Sequence, residues 1–339
     1  MLQLKTAAMS SMNISDNNSF CGTRGVMINF PIEWEIAKWI RCTEFVVTVV
    51  LNVSLCILLQ KKGKKSNLVL FVFHLVLSDI AVAVFHIFPL IINHFFSNWM
   101  LGLTMCKLKF YLSNVSLFAS TYLIVTIAVD RLLCVLHPLA ILRQRRRYKT
   151  WMITIPWGLS FLVNIPILVW TKIFTICECN ICTPDLRGIR EIALLLNAAF
   201  LLFIPSLVLI LCYSTIMFFI CQKLQIKHGQ RLSEIGLIRQ ATNNCRCRVF
   251  SKANRRSTIM TFVVSITFIV CWMPFILAGL LNLYGDLGYG GWFDILIALA
   301  PLNSMVNPII FLTFNNRTFI SRRKSTFRRA DQLELMNIS

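Results

Sequence analysis

Charge is scarce in this chain. Of 339 residues, 14 are Asp or Glu and 34 are Lys or Arg, so charged side chains make up 14% of the sequence against 57% hydrophobic ones, with a mean hydropathy of +0.69. A soluble domain keeps about a quarter of its residues charged, and this composition leaves no such coat. The sequence also lacks a metalloprotease His-Glu-x-x-His, a Gly-x-Ser-x-Gly elbow and a phosphate loop. With those signatures missing, no enzyme is expected. Internal repeats and low-complexity tracts are absent, and the segments between apolar runs are too short to hide a soluble domain. Residues 1–20 lack the apolar core of a cleavable signal peptide, so the first apolar run is expected to direct insertion.

Long apolar runs are what the chain has instead. Crossing about 30 Å of hydrocarbon takes roughly 20 residues, and seven stretches qualify: 40–60, 67–93, 106–136, 151–170, 192–221, 258–283 and 293–314. The expected fold class is therefore an all-α membrane protein, a seven-transmembrane helix bundle at residues 39–314, with residues 1–38 outside and residues 315–339 inside the cell. An odd number of crossings places the termini on opposite sides.

The formal charge of +20 is distributed as a topology signal. Lys and Arg concentrate in four segments, with four in 61–65, five in 143–149, nine in 223–256 and six in 317–329. They alternate with base-poor connections, which is the positive-inside pattern. Short basic loops without interleaved aromatics do not make a nucleic-acid surface, so no nucleic acid is expected as a partner. On this orientation Asn13 and Asn17, each in an Asn-x-Ser tripeptide, face outside as glycosylation acceptors. Asn52, Asn114, Asn316 and Asn337 show the same tripeptide within spans or inside the cell and are discounted.

Polar residues inside the apolar runs carry the functional signal. Asp79 lies in the second run, and an unpaired carboxylate at that depth is costly, so it is expected to face the bundle interior with a cation, a proton or polar partners. Ser120, Asn303 and Asn307 are the candidate partners, with Asn52 joining through water; the plainer alternative is a polar cluster that only fixes packing. His74 and Asp79 also spell the His-x-x-x-x-Asp pattern of membrane acyltransferases, but five residues turn the two side chains to different faces of a helix. Asp130 and Arg131 end the third run. Cys106 and Arg131 are 25 residues apart, about 38 Å along a helix, so they should mark opposite ends of the bundle. In the sixth run Pro274 should kink the helix beneath Trp272 and Phe268, and Pro205 and Pro89 should bend the fifth and second. Asn307-Pro308 repeats the theme in the seventh.

The 13 cysteines divide by position. Cys42, Cys56, Cys134, Cys212, Cys221 and Cys271 lie in or near spans and read as small apolar fillers. Cys21, Cys106, Cys177, Cys179 and Cys182 face the oxidising exterior, where disulfides are the default. Cys245-x-Cys247 is a poor zinc signal, and no cysteine follows the seventh run as a palmitoylation site.

Asn52, Asp79, Asp130-Arg131, Trp157, Pro205, Tyr213, Cys271-Trp272-Met273-Pro274 and Asn307-Pro308-Ile309-Ile310-Phe311 occur in order on successive runs. Together they resemble the rhodopsin-like (class A) G-protein-coupled receptors over about residues 38–328. The resemblance implies a cell-surface receptor that activates a heterotrimeric G protein, of the inhibitory class, and also meets arrestin. By the same resemblance Cys106 is tied to the second outer loop, through Cys177, Cys179 or Cys182 with Cys182 favoured, and Cys21 pairs with one left over. Asp79, Ser120, Asn303 and Asn307 match an allosteric sodium site, with Asp79 the metal ligand; no other cofactor is implied. Arg131 matches the residue that meets the G protein, Trp272 and Phe268 the transmission switch, and Tyr213 the partner of Arg131 in the open state. Residues 315–328, with Phe319 and Phe327, look like a short amphipathic helix on the inner leaflet.

The chain departs from the family pattern at several positions. Leu132 follows the arginine where tyrosine is usual, Phe311 replaces the tyrosine of the seventh-run motif, and Thr121 stands where a bulky aliphatic packs. Asn254 offers no acid to hold Arg131, so the inactive state is expected to lack that restraint and to allow some basal signalling. These changes motivate an alternative, a non-coupling decoy or scavenger receptor that binds and internalises its ligand. A transporter is disfavoured by one deep acid and no inverted repeats. The third run has no carboxylate in its outer half to hold a biogenic amine. Lys107, Lys109, His86, Arg187 and Arg190 instead form a basic rim suited to an acidic peptide or lipid mediator, with Trp272 below. Within the family, the stretch around Asp130–Pro138 and Trp99-x-x-Gly102-x-x-x-Cys106 is most similar to chemoattractant receptors.

Overall fold

Seven helices long and apolar enough to cross a membrane run Glu35–Lys61, Leu68–Phe95, Gly102–Leu136, Arg147–Trp170, Arg190–Gln222, Arg256–Leu281 and Ile295–Phe314. The computed structural model describes residues 32–62, 67–96, 98–136, 145–176, 179–231, 241–284 and 291–314. The chain is thus a multi-pass membrane protein with the expected bundle. Side chains that are apolar yet exposed, such as Val46, Val50, Leu207, Ile210, Phe218 and Val270, cover its outside, as lipid contact requires. Asn13, Asn17, Cys21, Cys177 and residues 315–339 lie outside the described residues, as do the side chains of Cys179, Cys245, Cys247 and Asn254.

The third helix is the axis of the packing. It runs unbroken over Gly102–Leu136, and the stretch Val115–Thr121 is buried throughout, as are Asp130 and Arg131 near its far end. Cys106 and Arg131 accordingly mark opposite ends, called outer and inner below. The first helix begins at Ile32, earlier than expected, so Arg41 and Glu44, which sit at the edge of the 40–60 run, lie deeper within the span. The basic connection after the fifth span extends both flanking helices, to Arg231 and from Ala241, as anticipated.

The prolines act in three ways. In the second and fifth helices a π-helical turn, Ala83–Ile87 and Ala199–Phe203, ends just before Pro89 and Pro205. Each turn contains the carbonyl four residues before the proline, the one its ring would strike, and widening the helix there relieves the clash. Pro274 stays inside a continuous helix, Ala241–Tyr284. In the seventh span the interruption falls earlier than Pro308: around Pro301 the bonds tighten to three-residue spacing, with Asn303 N donating to Ala300 O at 3.3 Å and Ser304 N to Pro301 O at 3.0 Å. The sequence reading placed that break at Pro308, because it stands between two amides where Pro301 has only apolar neighbours.

One element is not helical. Strand β1, Thr171–Ile176, pairs antiparallel with β2, Cys179–Pro184, in the connection between the fourth and fifth spans. Cys182 on β2 forms the disulfide with Cys106, with 5.7 Å between Cα atoms, which fastens the hairpin over the outer end of the third helix.

Candidate functional site

At mid-bundle Asp79 is fully buried and accepts two hydrogen bonds, from Ser120 Oγ at 2.7 Å and from Asn307 Nδ2 at 3.0 Å. Ser304, also buried, borders the same carboxylate. Three helices therefore meet on one acid. Asn52 is tied to the seventh helix directly: its Nδ2 donates to the Ser304 carbonyl at 3.0 Å and to the Thr48 carbonyl at 2.9 Å. The Ser304 carbonyl is free to accept because its helical donor would be the N–H of residue 308, and Pro308 has none.

Asn303 is buried beside this cluster without a hydrogen bond to Asp79, and the amide oxygens of Asn303 and Asn307 have no donor among the described residues. A carboxylate, a hydroxyl and two acceptor-only amide oxygens form an all-oxygen set, which suits a hard cation. The residues present therefore fit the sodium ion that the sequence pattern implies. Toward the inner end a cavity of about 20 Å³, room for about one water, lies between Asp79, Met260, Thr261, Asn307, Pro308 and Phe311.

At the inner end Asp130 is fully buried. It accepts from its neighbour Arg131 and, at 2.9 Å, from the Tyr148 hydroxyl on the fourth helix. Arg131 Nη1 also donates to Ser257 Oγ of the sixth helix at 3.0 Å. The sequence reading found no acid at Asn254 and expected the third and sixth helices to lack a tie; a hydroxyl one turn further along supplies it. Tyr213 does not meet Arg131 in this conformation. Its ring packs edge-on against Phe262 at 5.1 Å and its hydroxyl faces Thr261 and Ser265.

Above these, the rings of Phe268 and Trp272 are tilted at 50° with centroids 6.3 Å apart, and Trp272 meets Phe275 edge-on at 5.7 Å. Among the described residues the buried Trp272 indole N–H has no acceptor, and the hydroxyl of Thr121 likewise has no partner. Gly279 lets the sixth helix approach the fifth, since a Cβ there would sit 3.1 Å from Leu194.

The basic rim is less free than its sequence suggests. Lys109 Nζ donates to Asn93 Oδ1 at 3.2 Å and lies over the rings of Trp99 and Phe110, 5.0 and 5.1 Å from their centroids. His86 Nδ1 is 2.7 Å from Ser113 Oγ, bridging the second and third helices. Lys107 and Arg190 stand at the outer ends of the third and fifth spans. Arg187 is not available as a ligand cation. It pairs with Asp185 at 2.9 Å, and the two cations Arg187 and Lys172 hold that carboxyl well below the usual carboxylate range.

Residues 51–311 match the family of 7 transmembrane receptors (rhodopsin family), and the chain belongs to it. It is 30% identical over 301 residues to the mesotocin receptor of Rhinella marina, covering 84% of this chain and 76% of that one. It is 29% identical over 315 residues to cephalotocin receptor 2 of Octopus vulgaris, covering 86% and 71%. With the neuropeptide S receptor of Rattus norvegicus it shares 27% over 297 residues, covering 85% and 78%. The protein is a receptor and not an enzyme. These relatives give the chemoattractant likeness of the third-span motifs no support.

Proposed function

We propose that this receptor binds an extracellular peptide between the outer ends of its helices and drives nucleotide exchange on a heterotrimeric G protein of the inhibitory class. The peptide ligand is supported by the relatives, whose names are those of receptors for mesotocin, cephalotocin and neuropeptide S. Orientation, with the N-terminus outside and the C-terminus inside, is supported by the basic segments at 61–65, 143–149, 223–256 and 317–329.

The observation that carries the mechanism is the contact between Arg131 and Ser257, which closes the inner ends of the third and sixth helices. A peptide resting on His86, Lys107, Lys109 and Arg190 presses on Trp272. Phe268 moves with it, the sixth helix pivots at Pro274, and the Arg131 to Ser257 bond breaks. Arg131 then meets Tyr213 from one side and the G protein from the other, while arrestin competes for the same cleft. Asp79, Ser120, Asn303 and Asn307 would hold a sodium ion, which would supply a positive charge tying the second, third and seventh helices together in this closed arrangement. A single neutral hydroxyl restrains Arg131 weakly, so basal exchange accompanies this closed state.

A second reading is a decoy receptor that binds and internalises ligand without coupling. Phe311 favours it, being buried beside the inner cavity with no hydroxyl to offer Tyr213. The deciding experiment is a screen of peptide and lipid mediators on cells expressing the chain, read by G-protein dissociation. A peptide hit supports the proposal, whereas a lipid hit, or ligand uptake with no dissociation, overturns it.

A further inference from the structure

The first helix carries two charges that receptor signalling leaves without a role. Arg41 and Glu44 are 1% and 2% exposed, and both lie inside the span Glu35–Lys61, with Glu44 about 13 Å from its outer end. Ionisable side chains at such depth are costly and mark sites. Arg41 turns its guanidinium to His94 of the second helix. Glu44 turns toward the seventh, and neither of its carboxylate oxygens accepts a hydrogen bond among the described residues.

Glu44 forms the floor of a groove of about 540 Å³ between the first and seventh helices, walled by Ile36, Trp39, Ile40, Leu302 and Met305. That volume lies within the range of small-molecule sites. Ile32, Ile36 and Trp39 are exposed on the face where the groove opens, and on a spanning helix such a face meets lipid tails. The entrance is therefore from the membrane. The hydroxyl of Thr43 in the wall already donates to the Trp39 carbonyl at 3.0 Å, and Glu35 at the mouth pairs with Lys38.

What the two Glu44 oxygens lack among the described residues is a hydrogen-bond partner. Arg41 already stands one turn away on the same helix, so an incoming ammonium would add a second positive charge in a medium that tolerates that poorly. A neutral hydroxyl supplies the donor and adds no charge. We propose that this groove is an allosteric site for a lipid-soluble alcohol, whose hydroxyl donates to Glu44 and whose apolar body lies along Ile36, Ile40, Leu302 and Met305. Occupancy reaches the signalling seam directly. Leu302 and Met305 flank Asn303 and Ser304, and the Ser304 carbonyl is the acceptor of Asn52.

The test is photolabelling of the full-length receptor in lipid nanodiscs with an octanol carrying a diazirine, against its methyl ether and the corresponding amine. The alcohol should label residues 32–44 and 295–314 about tenfold more than the ether, the worth of one hydrogen bond. Glu44→Leu should bring the alcohol down to the ether. Because that change strips Arg41 of its nearest acid and risks misfolding, Leu302→Trp, which fills the groove, is the second variant and should abolish labelling there. Equal labelling by alcohol and ether, stronger labelling by the amine, or full labelling of Leu302→Trp overturns the proposal. None of these readouts depends on peptide binding or G-protein coupling.

Discussion

Arg131, at the inner end of the third helix, donates a hydrogen bond to the hydroxyl of Ser257 on the sixth at 3.0 Å. A neutral acceptor holds the arginine less firmly than a carboxylate would, since a carboxylate adds ion pairing and can accept two parallel bonds from the guanidinium. Removing it with Ser257→Ala should raise agonist-independent nucleotide exchange roughly three- to tenfold, and Ser257→Asp should lower it below wild type. Exchange measured on membranes without agonist checks both, and the same basal rate in all three proteins would refute this restraint.

Asp79 gathers the second, third and seventh helices through Ser120 and Asn307. If sodium completes that set, agonist affinity in sodium chloride should fall roughly five- to tenfold relative to an organic-cation buffer, a typical coupling between two sites. Asp79→Asn should remove the difference while leaving antagonist binding intact. Agonist competition curves in the two salts make the measurement, and sodium sensitivity persisting in the variant would rule the site out.

Phe311 borders the cavity below Asp79, where there is room for about one water. Phe311→Tyr should place a hydroxyl near that water and increase agonist-driven exchange by roughly threefold or more. Robust ligand uptake with no gain in exchange would favour the decoy reading instead.

Lys109 is caged by Asn93, Trp99 and Phe110. A ligand carboxylate must take the place of Asn93, so Lys109→Glu should weaken an acidic agonist at least about tenfold and a neutral one much less. Binding curves for matched acid and amide peptides separate the two, and equal losses would reject the charge pairing.

The bundle was legible because hydrocarbon selects so strongly for apolar length: the centres of all seven spans were plain in the sequence. The motif residues were legible because their order is specific, and Asp79, Ser120 and Asn307 do converge. What escaped lacked a local signal. Arg41 and Glu44 fall at the edge of the 40–60 run, and nothing in their spacing shows that they are buried. Ser257 was hidden among arginines, and only the turn of the helix shows that it faces Arg131. The π-helical turns before Pro89 and Pro205 and the early break at Pro301 escaped because a proline announces a disturbed helix without saying whether it widens, tightens or stays continuous. Ser304 enters through its backbone carbonyl, an atom every residue has. The hairpin over the outer end follows from the Cys106 to Cys182 crosslink and the extended chain that reaches it.

The central claim is that the inner cleft closed by Arg131 is where ligand binding becomes nucleotide exchange. Agonist-stimulated exchange by Arg131→Ala receptor, reconstituted with G protein at matched surface expression and matched ligand binding, tests it most directly. Loss of stimulation with binding preserved is the predicted result, and stimulation equal to wild type would contradict it.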